Sequence, residues 1–386
     1  MERKYFYNIN FLRFIFAVSI LLLHFTGMSL RNLNIEIPRF ADLANKFSLG
    51  YICVDYFFII SGFLLAIKYI QKDIRGGGTI DMLNFSLHKI VRLMPPIYFG
   101  IIMFAILSCF NIVQFNIFEN IECLFLLTGL GITSDIHHQG LGNLHPAWFV
   151  STLFWVMVFY QYLFNNFSKK SINLFVVLSV ILGYGIITTS QNGVIGGRIA
   201  NTYFGLFNLG ILRGLCGIGL GYCIANFYNK ILPYISEIKL KFSTKLILSF
   251  VQLSAVSFLI YSLFIKRYLY NNDIFYILLF TIIFFLMLIN KDYISRLFDN
   301  KYLSRLGIYS YSIYVMHALC MDVFVKLFYN HNNINILLKH PDLYTYIAIV
   351  LMILTGIATY YMVEKPIGKF LTVKVETFKE NKYGRY

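Results

Sequence analysis

The sequence predicts an all-α polytopic membrane protein with about ten transmembrane helices and both termini in the cytoplasm. Hydrophobic residues make up 58% of the 386 positions and charged residues only 13%, whereas about a quarter of a soluble globular protein is charged. So few charges cannot cover a water-facing surface, which excludes a soluble enzyme, a disordered chain and a nucleic-acid-binding module. The net charge of +15 therefore reports on membrane topology rather than on a polyanionic partner.

Ten stretches have the length and apolar composition of a spanning helix, which needs about 20 mostly apolar residues. They lie at about 9–30, 49–68, 97–113, 146–166, 171–190, 204–227, 246–265, 274–290, 306–328 and 343–363. The segment around Cys123 to Leu130 is too short to span and is predicted to be interfacial or re-entrant. We predict one transmembrane domain over residues 1–386, ending in a short charged cytoplasmic tail at 371–386.

The basic residues orient these spans. Segments on the side of the N terminus hold 23 of the 33 lysines and arginines, and segments on the opposite side hold 8. The remaining two, Arg13 and Arg213, lie inside spans. Because lysine and arginine are enriched in cytoplasmic loops, both termini are predicted to be cytoplasmic.

Ionisable side chains inside spans are energetically costly and are therefore candidate functional residues. Arg13 and His24 lie 11 residues apart in the first span, so they share one helix face about 16 Å apart along the axis. Asp55, in the second span, is predicted at a depth similar to that of His24. A carboxylate beside an imidazole can fix its tautomer and make it a general base. A purely structural His–Asp bond between two helices is the alternative.

A second group of charges precedes the third span. His88, Lys89 and Arg92 form a basic patch that is followed by Pro95 and Pro96. The patch has two interpretations: an anchor at the cytoplasmic membrane surface, or a clamp for the phosphates of an anionic cofactor.

Three further residues in the later spans are candidates. His317 lies near the middle of the ninth span, where it either bonds a neighbouring helix or takes part in chemistry. Trp148, at the outer start of the fourth span, has the position of an interfacial aromatic residue, and Glu364 closes the tenth.

No metal site is predicted from the histidines or the cysteines. His137, His138 and His145 occur in one external loop without a carboxylate or cysteine at ligand spacing. The six cysteines all lie in apolar stretches without a CxxC spacing, which also argues against a disulfide framework.

Several stretches are similar to the motifs of one known family. FLRFIFAVSILLLHF contains the Arg-x10-His spacing, and GYICVDYFFIISGFLL (50–65) is close to the pattern G-V-D-x-F-F-x-x-S-G-F-L. LHKIVRLMPPIY is similar to R-x-x-R-L-x-P-x-Y, and YLSRLGIYSYSIYVMH (302–317) and EKPIGKF complete the set. On these motifs the chain resembles integral-membrane acyltransferase family 3, bacterial enzymes that O-acylate cell-surface carbohydrates and related molecules.

The chain departs from the family pattern at two places. Lys89 replaces the first arginine of the R-x-x-R pair, which keeps the charge but loses the bidentate guanidinium fork. The fourth span, WFVSTLFWVMVFY, lacks the glutamate that many members carry there.

The resemblance implies a membrane O-acyltransferase, specifically an O-acetyltransferase, of the bacterial cytoplasmic (inner) membrane. Its donor would be cytoplasmic acyl-CoA (acetyl-CoA), bound by Arg13, Lys89 and Arg92. Its acceptor would be a hydroxyl of an extracytoplasmic surface carbohydrate, such as lipopolysaccharide or a lipid-linked glycan. His24, oriented by Asp55, would be the general base. Supporting or acceptor-side roles would fall to Ser61, Trp148, His317 and Glu364.

We predict no bound metal and no nucleic-acid partner. Besides the acyl donor and the glycan acceptor, the predicted partner is membrane lipid. Two other functions fit the residues. A proton-coupled secondary transporter of an anionic solute would use buried Arg, His and Asp, although such transporters are commonly built from repeats that this sequence lacks. A non-catalytic partner in polysaccharide export would tolerate replacement of His24.

Overall fold

The computed structural model describes residues 6–29, 38–72, 79–128, 130, 143–196, 202–203, 207–266, 269–330 and 339–383. The helices, in chain order, are α1 (Tyr7–His24), α2 (Pro38–Lys46), α3 (Cys53–Lys72), α4 (Thr79–Cys109), α5 (Ile117–Leu124), α6 (Ala147–Asn166), α7 (Lys169–Ser190), α8 (Leu209–Glu237), α9 (Phe242–Phe264), α10 (Asp273–Ile289), α11 (Tyr293–Phe298), α12 (Lys301–Leu306), α13 (Ser310–Asn330), α14 (Pro341–Thr359) and α15 (Lys365–Tyr383). Short 3-10 or π-helical turns lie at Phe25–Ser29, Ser48–Ile52, Gly307–Tyr309 and Tyr360–Glu364. A two-residue antiparallel pair joins β1 (Thr202–Tyr203) to β2 (Phe207–Asn208).

The predicted all-α polytopic fold is confirmed. Within the described ranges, nine helices are long and apolar enough to cross a membrane. The eighth predicted stretch corresponds to α10, which has 17 residues. At 1.5 Å per residue α10 is about 26 Å long, slightly short of a hydrocarbon core of about 30 Å.

The predicted start of the third span is wrong. α4 begins at Thr79, so His88 and Lys89 lie on the helix itself rather than before it. Pro95 and Pro96, which follow the basic patch, lie inside α4 and are buried. The helix is continuous although the two prolines remove two backbone donors, and their neighbours Leu93, Met94 and Ile97 are buried.

The described residues form two compact units. The first unit comprises residues 1–73, 169–198 and 212–310, and the second comprises 74–168, 199–211 and 311–386. The first unit therefore holds α1 to α3, α7, most of α8 and α9 to α12. The second holds α4 to α6 and α13 to α15.

Aromatic stacking fills the core of the first unit. The ring of Phe16 on α1 lies 4.9 Å from that of Tyr56 on α3, which stacks at 4.1 Å on Phe280 of α10. Phe280 lies 5.6 Å from Phe284, and all four side chains are fully buried. Each such pair contributes about 0.5–1.5 kcal/mol beyond its buried area, so the stack fixes α1, α3 and α10 against one another.

Glycines bring α3 and α8 into backbone contact. A Cβ at Gly62 would lie 2.2 Å from the Ile218 carbonyl oxygen, and a Cβ at Gly221 would lie 2.2 Å from the Ile59 carbonyl oxygen. Gly217, one turn before Gly221, faces the Cβ of Phe58. This is the small-xxx-small spacing that allows close helix crossings in membranes, and it places α3 and α8 side by side.

The second unit contains the segment predicted to be interfacial or re-entrant. α5 has eight residues and is about 12 Å long, less than half the thickness of the hydrocarbon core. The side chains of Asn120 and Asn143 bond each other at 2.7 Å, and Trp155 of α6 donates to the Leu126 carbonyl at 2.8 Å. These bonds tie α5 and the turn after it to the start of α6.

Candidate functional site

Arg13 and His24 lie on one uninterrupted α-helix, α1, in the first unit. Their 11-residue spacing therefore places both on one face, about 16 Å apart. Both side chains are half-buried. The Thr26 hydroxyl bonds the Leu22 carbonyl at 2.7 Å where α1 passes into its terminal π-turn, immediately after His24.

Two motif glycines hold α1 near its functional residues. A Cβ at Gly50 would lie 2.6 Å from the Ser19 carbonyl oxygen, little more than one turn before His24. A Cβ at Gly307 would lie 1.9 Å from the carbonyl oxygen of Asn10, whose side chain bonds Arg13 at 3.5 Å. Only glycine allows these approaches, so the two motifs position α1 by backbone contact.

Asp55 forms a bidentate ion pair with Arg213 of α8. The Arg213 Nη2 and Nε atoms lie 2.6 and 3.2 Å from the two carboxylate oxygens, and Nη2 also donates to the Tyr51 carbonyl at 3.1 Å. The Asp55 side chain is 0% exposed and that of Arg213 is 3% exposed. A charge-assisted pair of this geometry is among the strong hydrogen-bonded contacts.

Arg213 is one of the two basic residues predicted inside spans, but its pairing with Asp55 was not predicted. The signal was available, since both residues lie near the first residues of their helices, the ends that are predicted to be on the outer side. That Asp55 also orients His24 stays a prediction. A carboxylate has about four lone-pair sites and the guanidinium uses two of them, so the pair leaves room for a further donor.

Tyr51 connects this ion pair to a second buried carboxylate. Its hydroxyl donates to Asp273, the first residue of α10, and its carbonyl accepts from Arg213. Asp273 is fully buried and also accepts the backbone N–H of Ile195 at 2.8 Å. A carboxylate at a helix N-terminus is favoured by the helix dipole. Asp273 was not predicted from the sequence.

Gly196 lies directly against the ring of Tyr51. A Cβ at Gly196 would lie 2.3 Å from the Tyr51 ring, so only glycine leaves space for the ring there. Gly193 has φ +81 and accepts the N–H of Asp273 at 3.0 Å. Tyr51 is therefore fixed at its ring, its hydroxyl and its carbonyl.

In the second unit, Tyr311 lies between two predicted site residues. Its hydroxyl donates to the Leu93 carbonyl, and it interacts electrostatically with both Arg92 and Glu364. Glu364 accepts the Ser312 hydroxyl at 2.5 Å. The structure thus brings Arg92 and Glu364 to one tyrosine, a proximity that the sequence did not predict.

Lys89 lies one turn earlier on α4, with its ammonium 5.3 Å from the centre of the Phe85 ring. Arg92 is exposed and Lys89 is half-buried. The ring contact holds Lys89 along its own helix, while the Arg92 guanidinium remains accessible to an anion.

His317 is fully buried in the second unit, on α13. Its Nδ1 bonds the Tyr314 carbonyl, and because a carbonyl can only accept, Nδ1 carries the hydrogen. In the neutral imidazole, Nε2 is then the acceptor. The Tyr314 hydroxyl donates to the Pro146 carbonyl at 3.0 Å, which ties α13 to the start of α6.

His145 packs edge-on to His317, with 6.1 Å between ring centres. Burial lowers the pKa of this half-buried residue to about 4, so its imidazole is neutral at pH 7. His137 and His138, from the same predicted loop, lie outside the described residues.

Trp148 is buried inside the protein at 5% exposure, and its position at the membrane interface stays a prediction. One turn further along α6, the hydroxyls of Ser151 and Thr152 are buried and have no hydrogen-bond partner among the described residues. Ser61 is half-buried on α3 of the first unit, between the Asp55 turn and the Gly62 crossing.

Residues 6–362 match the model of acyltransferase family 3, which is described as an acyltransferase domain. The chain belongs to acyltransferase family 3. No curated protein and no solved structure matches it. The match takes in every predicted site residue except Glu364, two positions beyond its end. With nine spanning helices in the described part of the chain, this family member is a multi-pass membrane acyltransferase.

Proposed function

We propose that this acyltransferase is an O-acetyltransferase of the bacterial inner membrane. It moves an acetyl group from cytoplasmic acetyl-CoA to a hydroxyl of an extracytoplasmic surface carbohydrate or lipid-linked glycan. The observation that carries the proposal is the family match over residues 6–362, which includes Arg13 and His24 on one face of α1.

The donor-binding role rests on charge at the predicted cytoplasmic end. Coenzyme A carries phosphates, which guanidinium groups bind by paired hydrogen bonds and lysine ammonium groups bind as point charges. Arg13 supplies one guanidinium in the first unit. Arg92, with Lys89 one turn earlier, supplies charge in the second.

The catalytic role falls to His24. Its imidazole takes the proton of the acceptor hydroxyl, the hydroxyl oxygen attacks the thioester carbonyl, and the C–S bond breaks. The thiolate of CoA then receives that proton from the imidazolium, so the products are an acetyl ester and CoA. Asp55 is a positioning residue for His24, and Arg213 holds its carboxylate in place.

His317, Trp148, Ser61 and Glu364 are assigned supporting or acceptor-side roles. His317 suits such a role because its Nδ1 is bonded to a carbonyl, which leaves Nε2 as the acceptor for a donor group. Glu364 holds Ser312 on the same turn of α13 as Tyr311.

The test compares wild type with His24→Ala and with a control, His340→Ala, at an exposed histidine. Cells expressing each variant receive labelled acetate, and base-labile label is followed into surface glycans; membrane insertion is verified for each variant. We expect label in wild type and in the control, and a loss of about 100-fold or more in His24→Ala. Equal incorporation by wild type and His24→Ala would overturn the mechanism.

The donor is tested with purified protein in proteoliposomes. Release of free CoA from acetyl-CoA should require an acceptor glycan and should fall in Arg13→Gln. If acetyl-CoA supplied on the side of the termini gives no release while another acyl thioester does, acetyl-CoA is the wrong donor.

A further inference from the structure

Two adjoining cavities lie in the first unit, and none of the predicted site residues lines either of them. An apolar groove of about 360 Å³ runs between α8 and α10, and a pocket of about 580 Å³ lies between α7 and α8. Cys223 and Phe227 line both. The two cavities therefore adjoin along this face of α8, and we call the apolar groove and the polar pocket together the recess.

The groove has the character of a site for an acyl chain. Thr281, Ile282 and Phe285 line it from α10, and the Phe227 and Phe285 rings lie 5.2 Å apart across it. Phe227 is 54% exposed and Ile282 is 50% exposed. These side chains present an open apolar channel on the lipid-facing surface rather than a closed core.

The pocket has the character of a site for an anionic headgroup. Its lining includes Lys169, Lys230, Asn173 and Asn226. Neither lysine forms an ion pair with another of the described residues. The Tyr222 hydroxyl donates to Asn173 Oδ1 at 2.7 Å, which leaves the Asn173 amide group as a donor. Two ammonium groups and an amide thus converge without an acidic residue in the lining.

The spacing of the two parts fits one molecule. Cys223 and Lys230 lie seven residues apart on α8, about 10 Å along its axis. That separation matches the distance from a phosphate through the glycerol backbone to the first part of an acyl chain. Lys169 opens α7 and Lys230 lies near the end of α8, at the helix ends that the charge distribution assigns to the cytoplasm.

We propose that this recess binds an anionic phospholipid of the cytoplasmic leaflet. The phosphate lies between Lys169 and Lys230, and one acyl chain runs along Thr281 and Ile282 towards the bilayer centre. A soluble phosphate would leave the groove empty, and a zwitterionic lipid would bring its own cation towards two lysines. The proposal is independent of the acyl-transfer reaction and of its residues.

The test is native mass spectrometry of the full-length protein with equal amounts of phosphatidylglycerol and phosphatidylcholine. Wild type should retain phosphatidylglycerol preferentially. The double variant Lys169→Gln/Lys230→Gln should lower that preference about tenfold or more, since each lysine near an anionic headgroup contributes measurably to binding. The control Lys239→Gln/Lys241→Gln removes the same charge at exposed loop positions and should leave the preference unchanged.

The groove is tested separately with Thr281→Trp, which fills it. Loss of retained lipid is expected, whereas Leu278→Trp, on an exposed part of the same helix outside the groove, should retain lipid. The lysine variants alter exposed side chains only, so the headgroup test stands even where Thr281→Trp does not fold. Equal retention of both lipids by wild type would overturn the proposal, as would displacement of phosphatidylglycerol by soluble glycerol phosphate.

Discussion

The Asp55–Arg213 ion pair leads to a prediction in which stability and activity separate. In Arg213→Met, the Asp55 carboxylate stays 0% exposed but loses both of its arginine hydrogen bonds. Removing one partner of a buried pair costs about 3–5 kcal/mol because the other charge is left uncompensated. The Tyr51 carbonyl loses its arginine donor in the same variant.

Replacing both partners should reverse most of this loss. In Asp55→Leu/Arg213→Met no charge remains in the contact between α3 and α8, and buried pairs replaced by apolar residues are often neutral in stability. We therefore expect the double variant to unfold within about 1–2 kcal/mol of wild type. Its acetylation activity should nevertheless be lost, since it lacks the carboxylate proposed to position His24.

The assay is reversible unfolding of the purified protein in mixed micelles, with acetyl transfer measured on the same preparations. Arg296→Met, at an exposed position of α11, is the matched control and should change the free energy of unfolding by less than about 0.5 kcal/mol. If Arg213→Met unfolds like this control, the pair does not stabilise the fold. If the double variant is stable and fully active, Asp55 has no part in the reaction.

Three further predictions follow from contacts in one or the other unit. Gly221→Ala should lower the free energy of unfolding by about 1–3 kcal/mol, since its Cβ would meet the Ile59 carbonyl at 2.2 Å. Gly185→Ala should leave the free energy of unfolding unchanged, since among the described residues no atom beyond the adjacent helix backbone lies within 4 Å of a Cβ at this position. Asp273→Asn should cost about 1–3 kcal/mol by weakening buried hydrogen bonds to a hydroxyl and a backbone N–H; an unchanged unfolding curve would refute this. Burial lowers the pKa of His145 from 6.5 to about 4 in the folded protein. Between these two pH values the unfolded chain binds a proton at His145 that the folded protein does not bind. Stability should decline from about pH 6.5 to pH 4, and His145→Gln should flatten that decline.

Much of the fold could be predicted from apolar length alone. Stretches such as 146–166 and 171–190 correspond to α6 and α7 within a residue or two. The agreement is expected because a chain in a bilayer must satisfy its backbone hydrogen bonds as a helix, and the thickness of the bilayer sets the length of that helix. The start of α4 could not be predicted in this way. Proline is usually found at or near a helix end because it lacks a backbone donor, whereas Pro95 and Pro96 lie inside α4.

The site was predictable only along single helices. The Arg13–His24 relation needs nothing beyond helical periodicity, and α1 confirms it. The partners of charged residues depend on which helices cross and where. Depth matching linked Asp55 to His24 because both were expected near the outer leaflet, but Arg213 satisfies the same criterion and is the contact that the structure describes. Asp273 was missed because a carboxylate at the start of a helix resembles an ordinary first-turn residue.

The most specific family motif of this chain has a structural explanation at several of its positions. Gly50 lets the turn before α3 contact α1 near His24, Asp55 pairs with α8, and Gly62 allows the backbone crossing with the same helix. Gly307, from a second motif, contacts α1 near Arg13. These contacts fix the helix that carries Arg13 and His24 at both of its ends. A variant at one of these motif positions can therefore lose activity only because α1 is displaced. A residue of the reaction is identified when a variant has the stability of wild type and still lacks acyl transfer.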